Sequence, residues 1–169
     1  SYDGGGDDGH FNIYFAHEDG IKHLEKIPSD FGGAYLFMGS LIREVAEKYE
    51  YALVLEDDVI LCDNFVEEFL ESHNELPDNW DIAWVGTCCG LHAPTSEDKR
   101  VYRVNGSRCT HAYAISNIGA KKVLSELKYC NTGADFFFNL LIEKFNLNNY
   151  WFEPALAIQS PEFTTTIQN

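Results

Sequence analysis

A run of five apolar residues, Tyr51–Leu55, is followed directly by three carboxylates, Glu56, Asp57 and Asp58. The run has the length of a strand, and an uninterrupted apolar strand is typical of a sheet that is covered on both faces. Open α/β sheets bind their ligands at the carboxyl edge of the strands, which is where these acidic side chains follow. Because successive side chains of a strand point to opposite faces, we expect Glu56 and Asp58 to share one side.

Two carboxylates on one side of a strand repel each other unless a cation lies between them. Mn²⁺ and Mg²⁺ take oxygen ligands, and such an ion could bind a diphosphate and stabilise a departing phosphate oxygen. We therefore predict a metal site at Glu56, Asp57 and Asp58. The alternative is a solvated acidic turn, because a short acidic pattern is a weak signal. The apolar segments on both sides, Tyr51–Leu55 and Val59–Leu61, favour the metal site.

The rest of the chain alternates between strand and helix patterns. Helices are predicted at residues 21–27, 34–50, 63–72, 118–127 and 135–146, and strands at 11–16, 51–55, 80–85, 101–104, 109–116 and 155–158. This alternation predicts one α/β domain with a mostly parallel central sheet flanked by helices. Residues 1–10 contain three consecutive glycines among acidic residues, which predicts a flexible arm ahead of a domain over 11–169.

The charge of the chain limits its partners. Its 12 Lys and Arg against 27 Asp and Glu give a formal net charge of −15. That charge repels phosphate backbones and anionic lipid surfaces, so we expect no nucleic-acid partner. No apolar run approaches the ~20 residues that a helix needs to cross a membrane, so we expect no membrane-spanning segment.

Five cysteines are present, without zinc-binding spacing and without the density of a disulfide scaffold: Cys62, Cys88, Cys89, Cys109 and Cys130. They favour a reducing, cytoplasmic compartment, with the lumen of the secretory pathway as the alternative. One N-glycosylation sequon, Asn105-Gly106-Ser107, is relevant only in the second case.

Several segments together resemble the core of glycosyltransferase family 25, which includes lipooligosaccharide and collagen galactosyltransferases. The resemblance covers roughly residues 34–160, and its segments occur in the family's order. They are YALVLEDDVIL at 51–61, NWDIAWVG at 79–86, CTHAYAIS at 109–116 with Gly119-Ala120-Lys121, and Gly133-Ala134-Asp135 followed by Tyr150 and by PALAIQ at 154–159.

The resemblance implies a GT-A-type fold and a metal-dependent, inverting hexosyltransferase. Such an enzyme moves a sugar from a nucleotide-sugar donor, foremost a UDP-sugar, to a hydroxyl group of a glycan or protein. Glu56, Asp57 and Asp58 would hold Mn²⁺ or Mg²⁺ against the donor diphosphate. Inversion needs a base on the face opposite the leaving nucleotide, and Asp135 is the candidate. The alternative for Asp135 is a helix-capping carboxylate.

Four further residues are candidates for donor or acceptor binding. Thr110 and His111 belong to the family's Thr-His-Ala-Tyr segment, and Gln159 belongs to its closing segment. A histidine in an apolar strand can instead be a core residue, and Gln159 can be an ordinary surface residue. Ser40-Leu41 is the nearest match to a Ser-His pair of the family, so here the histidine of that pair is missing.

The chain has no counterpart of the family's first strand and its Arg-rich turn, which help to bind the nucleotide. This departure favours an alternative function, a non-catalytic domain that binds a glycan or a protein. The intact acidic triplet favours the enzyme. A metal-dependent phosphohydrolase using the same carboxylates is a third hypothesis, and the lack of basic residues near the triplet counts against it.

Overall fold

The computed structural model describes residues 10–17, 20–28, 33–56, 58–86, 99–127 and 134–160. Four helices follow one another in this part of the chain: α1 (Gly33–Lys48), α2 (Phe65–Asn74), α3 (Asn117–Glu126) and α4 (Ala134–Phe145). The strands are β1 (His10–His17), β2 (Gly20–Pro28), β3 (Tyr51–Leu55), β4 (Val59–Leu61), β5 (Ile82–Trp84), β6 (Val101–Arg103), β7 (Ala112–Ser116), β8 (Asn149–Phe152) and β9 (Ala157–Gln159).

A five-stranded sheet in the order β3-β7-β5-β8-β6 organises the domain. Only β5 and β8 pair in parallel, whereas β7 pairs antiparallel with both β3 and β5, and β6 pairs antiparallel with β8. The α/β class is confirmed, but the prediction of a mostly parallel sheet is wrong. The strands β3, β5 and β8 do run in one direction, but β7 comes from a distant part of the sequence and separates β3 from β5.

The first two strands form an antiparallel hairpin of their own. The strand predicted at residues 11–16 is therefore confirmed, and the helix predicted at residues 21–27 is wrong, because β2 occupies that segment. Its pattern is short and ambiguous, and pairing with β1 supplies the hydrogen bonds that a helix would have made internally. The predicted arm at residues 1–10 lies outside the described residues except for His10.

Successive side chains of the strands point to opposite faces of the sheet, and each face packs into a separate hydrophobic core. One face carries Trp84, Tyr113 and Ile115, which are buried under α1, α3 and α4. The other face carries Ala83, Val85 and neighbouring small residues, which pack with Phe69 of α2 and with Ala157 of β9. The run Tyr51–Leu55 contributes to both cores, as predicted for a strand that is covered on each side.

Two polar anchors fix the helices to the sheet. The Asn117 side-chain amide donates to the carbonyl oxygens of Val45, Ala46 and Tyr49 at 2.8–3.0 Å, and so joins the end of α1 to the start of α3. Lys122 of α3 donates to both carboxylate oxygens of Asp81 at 2.8 Å. Asp81 is only 1% exposed, so this ion pair is buried on its acidic side.

Two of the five cysteines lie in the described part of the chain. Cys109 is disulfide-bonded, and Cys62 is a free thiol. No helix in the described part of the chain is both long enough and apolar enough to cross a membrane.

Candidate functional site

The carboxyl ends of β3 and β5 meet the amino end of β7 at one edge of the sheet, and this junction positions the acidic residues. The Glu56 amide, just beyond β3, donates to the carbonyl oxygen of His111 at 2.8 Å. The Glu56 side chain accepts a 2.7 Å hydrogen bond from the Thr110 hydroxyl. Thr110 is itself buried. Two predicted site residues that are 54 positions apart are thus in direct contact.

Asp58, two residues after Glu56, is held by residues at the end of β9. Its Oδ2 atom accepts a 2.6 Å hydrogen bond from the Gln159 amide, and its backbone carbonyl accepts one from the Ser160 amide at 2.7 Å. The residue is only 6% exposed, yet its Oδ1 atom has no hydrogen-bond partner among the described residues. A buried carboxylate oxygen without a donor is costly, so this atom is a candidate ligand atom.

His111 lies close enough to Asp58 for the two side chains to interact electrostatically. The side chain is fully buried, and neither ring nitrogen makes a hydrogen bond within the described part of the chain. Gly86, at the end of β5, allows this arrangement. A Cβ atom on Gly86 would lie 2.4 Å from the Ala157 carbonyl oxygen and 2.6 Å from His111 Nε2. The imidazole, the backbone of β9 and the end of β5 therefore pack together too closely for any side chain at Gly86.

The environment of His111 keeps its imidazole neutral. Burial lowers the pKa of His111, and the Ala157 carbonyl and the Asp58 carboxylate offset only part of that effect. The carbonyl contact does not reach full hydrogen-bond geometry. A neutral imidazole leaves the negative charge of Asp58 uncompensated, which preserves the attraction of this carboxylate for an external cation.

Because His111 is buried in its neutral form, we expect the folded chain to lose stability when the pH is lowered. Its folded-state pKa lies below the unfolded value of about 6.5, so below that pH the unfolded state binds more protons. The free energy of unfolding should therefore fall as the pH drops from 7 to 5, with a contribution from His111 of at most about 1.4 kcal/mol per pH unit. Urea unfolding at a series of pH values measures this slope.

The His111→Gln variant isolates that contribution, since all carboxylates stay in place. We expect the variant to lose stability less steeply with acidification than the wild type does. Equal slopes in the two proteins would show that His111 does not take part.

The donor atoms at this edge suit a hard divalent cation in type. Glu56 and Asp58 offer carboxylate oxygens, and Oδ1 of Asp58 is buried without a hydrogen-bond partner among the described residues. Within the described residues, however, no group of three or more His, Cys, Asp or Glu side chains is arranged to hold a metal ion. Asp57, the middle residue of the triplet, lies outside the described residues. Further ligand oxygens would have to come from Asp57, from water or from a bound diphosphate.

Asp135 lies in the first turn of α4, and its Oδ1 accepts the Phe136 amide at 2.8 Å. This local bond supports the helix-capping interpretation. Phe138, one turn later, packs against Trp84 and Tyr113 with ring centroids 5.6 and 5.2 Å away. Because α4 leads into β8, which is parallel to β5, the helix begins near the carboxyl edge of the sheet. Asp135 thus lies towards the same edge as Asp58, on the face covered by α1, α3 and α4.

A groove of about 720 Å³ runs along the outer side of α4, away from the acidic residues. Phe136 and Leu140 line it and are half exposed, and the Arg108 guanidinium lies 4.5 Å from the centre of the Phe136 ring. Its polar lining includes Arg103, Asn105 and Glu143.

Five of the predicted site residues come together at the junction: Glu56, Asp58, Thr110, His111 and Gln159. Ser40 lies on α1, and its side chain, like Asp57, lies outside the described part. The roles of Gly86 and Ala157 were not predicted from the sequence. The signal for the first was available, because a glycine directly after an apolar strand often marks a close approach of another segment.

The chain matches no protein-family model. No curated protein matches it either.

Proposed function

We propose that this chain is a metal-dependent, inverting glycosyltransferase domain that moves a sugar from a nucleotide-sugar donor to a hydroxyl acceptor. The observation that carries the proposal is Asp58, a buried carboxylate with one oxygen fixed by Gln159 and the other without a partner among the described residues. A buried charge of this kind is stabilised when a cation binds to it. The resemblance of the surrounding segments to glycosyltransferase family 25 supplies the type of reaction.

The neighbouring residues hold the carboxylates in place for binding. Thr110 fixes Glu56 and Gln159 fixes Asp58, so two carboxylates are oriented by neutral donors. Preorganised groups of this type reduce the entropy that binding would otherwise cost. Mn²⁺ or Mg²⁺ bound to Glu56 and Asp58 would neutralise the charge of the donor diphosphate as it departs.

In this proposal Asp135 removes the proton from the acceptor hydroxyl. Its position at the start of α4, towards the edge that carries Asp58, supports the assignment. A carboxylate can remove a proton from an acceptor hydroxyl that lies within hydrogen-bond distance of it. The hydrogen bond to the Phe136 amide occupies Oδ1, so Oδ2 is the atom assigned as the base.

The experiment is thermal unfolding with Mn²⁺ and a panel of nucleotide diphosphates and nucleotide sugars. A ligand present at a hundred times its dissociation constant adds about 2.7 kcal/mol, or roughly 5–10 °C for a chain of this size. We expect a shift that requires both Mn²⁺ and one nucleotide and that is lost in Asp58→Asn. Asp63→Asn, at an exposed carboxylate five positions later, is the matched control and should keep the shift.

Other outcomes separate the rival functions. A shift with glycans but with no nucleotide would favour a binding domain without catalysis. A shift with phosphate monoesters in place of nucleotide sugars would favour a phosphohydrolase. If neither Mn²⁺ nor any nucleotide stabilises the folded chain, the glycosyltransferase proposal is wrong.

A further inference from the structure

The sequon Asn105-Gly106-Ser107 lies in the turn that follows β6. Asn105 is exposed, and its side chain makes no hydrogen bond within the described part of the chain. Ser107 is only 1% exposed. The acceptor asparagine of the sequon is therefore accessible in the folded domain, whereas the serine is part of the packed structure.

The other two residues of the sequon have structural partners on α4. The Ser107 amide donates to Asn139 Oδ1 at 2.9 Å, and Asn139 Nδ2 donates to the Ser107 carbonyl oxygen at 2.8 Å. A Cβ atom on Gly106 would lie 2.9 Å from Asn139 Oδ1, so this position favours glycine. The turn is thus anchored without any contribution from the Asn105 side chain, which can carry a large substituent without loss of these contacts.

The cysteine chemistry nearby points to a compartment. Cys109, four residues after Asn105, is disulfide-bonded. Stable disulfides form and persist in oxidising environments such as the lumen of the endoplasmic reticulum. The same lumen is where Asn-X-Ser/Thr sequons of secreted proteins are modified. The disulfide therefore gives the sequon a chemical context that composition alone does not provide.

We propose that Asn105 is a site of N-linked glycosylation. The Asn105 Nδ2 atom forms a bond to the anomeric carbon of an oligosaccharide carried on a lipid diphosphate. The bond between that carbon and the diphosphate oxygen breaks, the lipid diphosphate leaves, and the amide proton passes to a base of the modifying enzyme. This inference is independent of the proposed transferase function, since it requires neither the acidic residues nor a donor nucleotide.

The surface around Asn105 has room for the attached sugars. Asn105 lines the groove of about 720 Å³ along α4, where Phe136 and Leu140 are exposed by 50% and 58%. The first sugar units can lie over these apolar side chains and cover them. Such cover is a common benefit of surface glycans, because it reduces exposed apolar area.

The test is secretion of the full chain from a eukaryotic host, followed by digestion with peptide-N-glycosidase. We expect the wild type to lose mass on digestion and the peptide containing position 105 to carry aspartate afterwards. Asn105→Gln and Ser107→Ala should each be secreted without the removable mass. Asn74→Gln, an exposed asparagine of α2 outside any sequon, is the matched control and should lose mass like the wild type.

Two results would overturn the proposal. One is a secreted, folded wild-type chain whose mass does not change on digestion. The other is an Asn105→Gln variant that still carries removable mass, which would place the glycan elsewhere.

Discussion

Replacing Lys122 by methionine is expected to remove about 3–5 kcal/mol from the free energy of unfolding. Lys122 Nζ donates hydrogen bonds of 2.8 Å to both carboxylate oxygens of Asp81, and Asp81 is only 1% exposed. Without the ammonium group, Asp81 keeps, among the described residues, only the 2.9 Å hydrogen bond from the Asn148 amide. Urea unfolding of the variant at neutral pH measures the loss, which is a large part of the stability of an ordinary domain.

Two comparisons separate the buried charge from other effects of the Lys122→Met change. Adding Asp81→Asn in the same chain removes the uncompensated charge, so the double variant should be more stable than Lys122→Met alone. Lys48→Met breaks an exposed pair with Glu44 on α1 and should leave the unfolding midpoint unchanged. An Lys122→Met variant as stable as wild type would show that the ion pair does not contribute to stability.

Replacing Gly86 by alanine is expected to cost about 1–3 kcal/mol and to abolish the Mn²⁺-dependent nucleotide shift. The new methyl group would lie 2.4 Å from the Ala157 carbonyl oxygen and 2.6 Å from His111 Nε2. The carbonyl belongs to β9, which pairs with β4 and carries Gln159, so it cannot move alone. Displacement of β9 separates Gln159 from Asp58, and displacement of His111 disturbs the amino end of β7. Thermal unfolding with and without Mn²⁺ and nucleotide measures both effects.

Gly39→Ala is the matched control for this change. Among the described residues, its methyl group would meet the end of the Leu127 side chain, Cδ2 at 2.7 Å, which can rotate away. Alanine is also favoured over glycine inside a helix by about 1 kcal/mol, which offsets the crowding. This variant should keep both its stability and its nucleotide shift. If Gly86→Ala also keeps the shift, the junction at Gly86 does not position the carboxylates.

The local elements of this fold could be predicted from the sequence where the pattern was long or clearly bounded. The amphipathic stretch of α1 and the apolar run Tyr51–Leu55 are such cases. The segment of β2 was mistaken for a helix, because its few apolar residues fit either period and only the pairing with β1 decides between them. The strand direction was also mispredicted, since it depends on β7 pairing with residues about 60 positions earlier in the chain. Local patterns contain no information about such a pairing.

Five of the residues at the junction were named from the sequence, whereas the order and direction of the strands were not. Glu56 and Asp58 stand out because acidic residues directly after a buried strand have few structural roles. Thr110, His111 and Gln159 came from the resemblance alone, and no spacing in the chain indicates that Gln159 contacts Asp58. The role of Ala157 could not be predicted, since it acts through its backbone carbonyl, and any residue type supplies one.

The position of β7 between β3 and β5 has a consequence for how the chain folds as it is synthesised. When residues 51–86 have left the ribosome, β3 and β5 exist without the strand that joins them. Their apolar side chains stay unprotected until residues 112–116 emerge, and the disulfide-bonded Cys109 emerges only shortly before. Strand pairings between distant segments are slow to form and leave nascent chains prone to aggregation. A chain that ends before residue 112 therefore lacks the strand that pairs with both β3 and β5, and the edges of these two strands stay open to other chains.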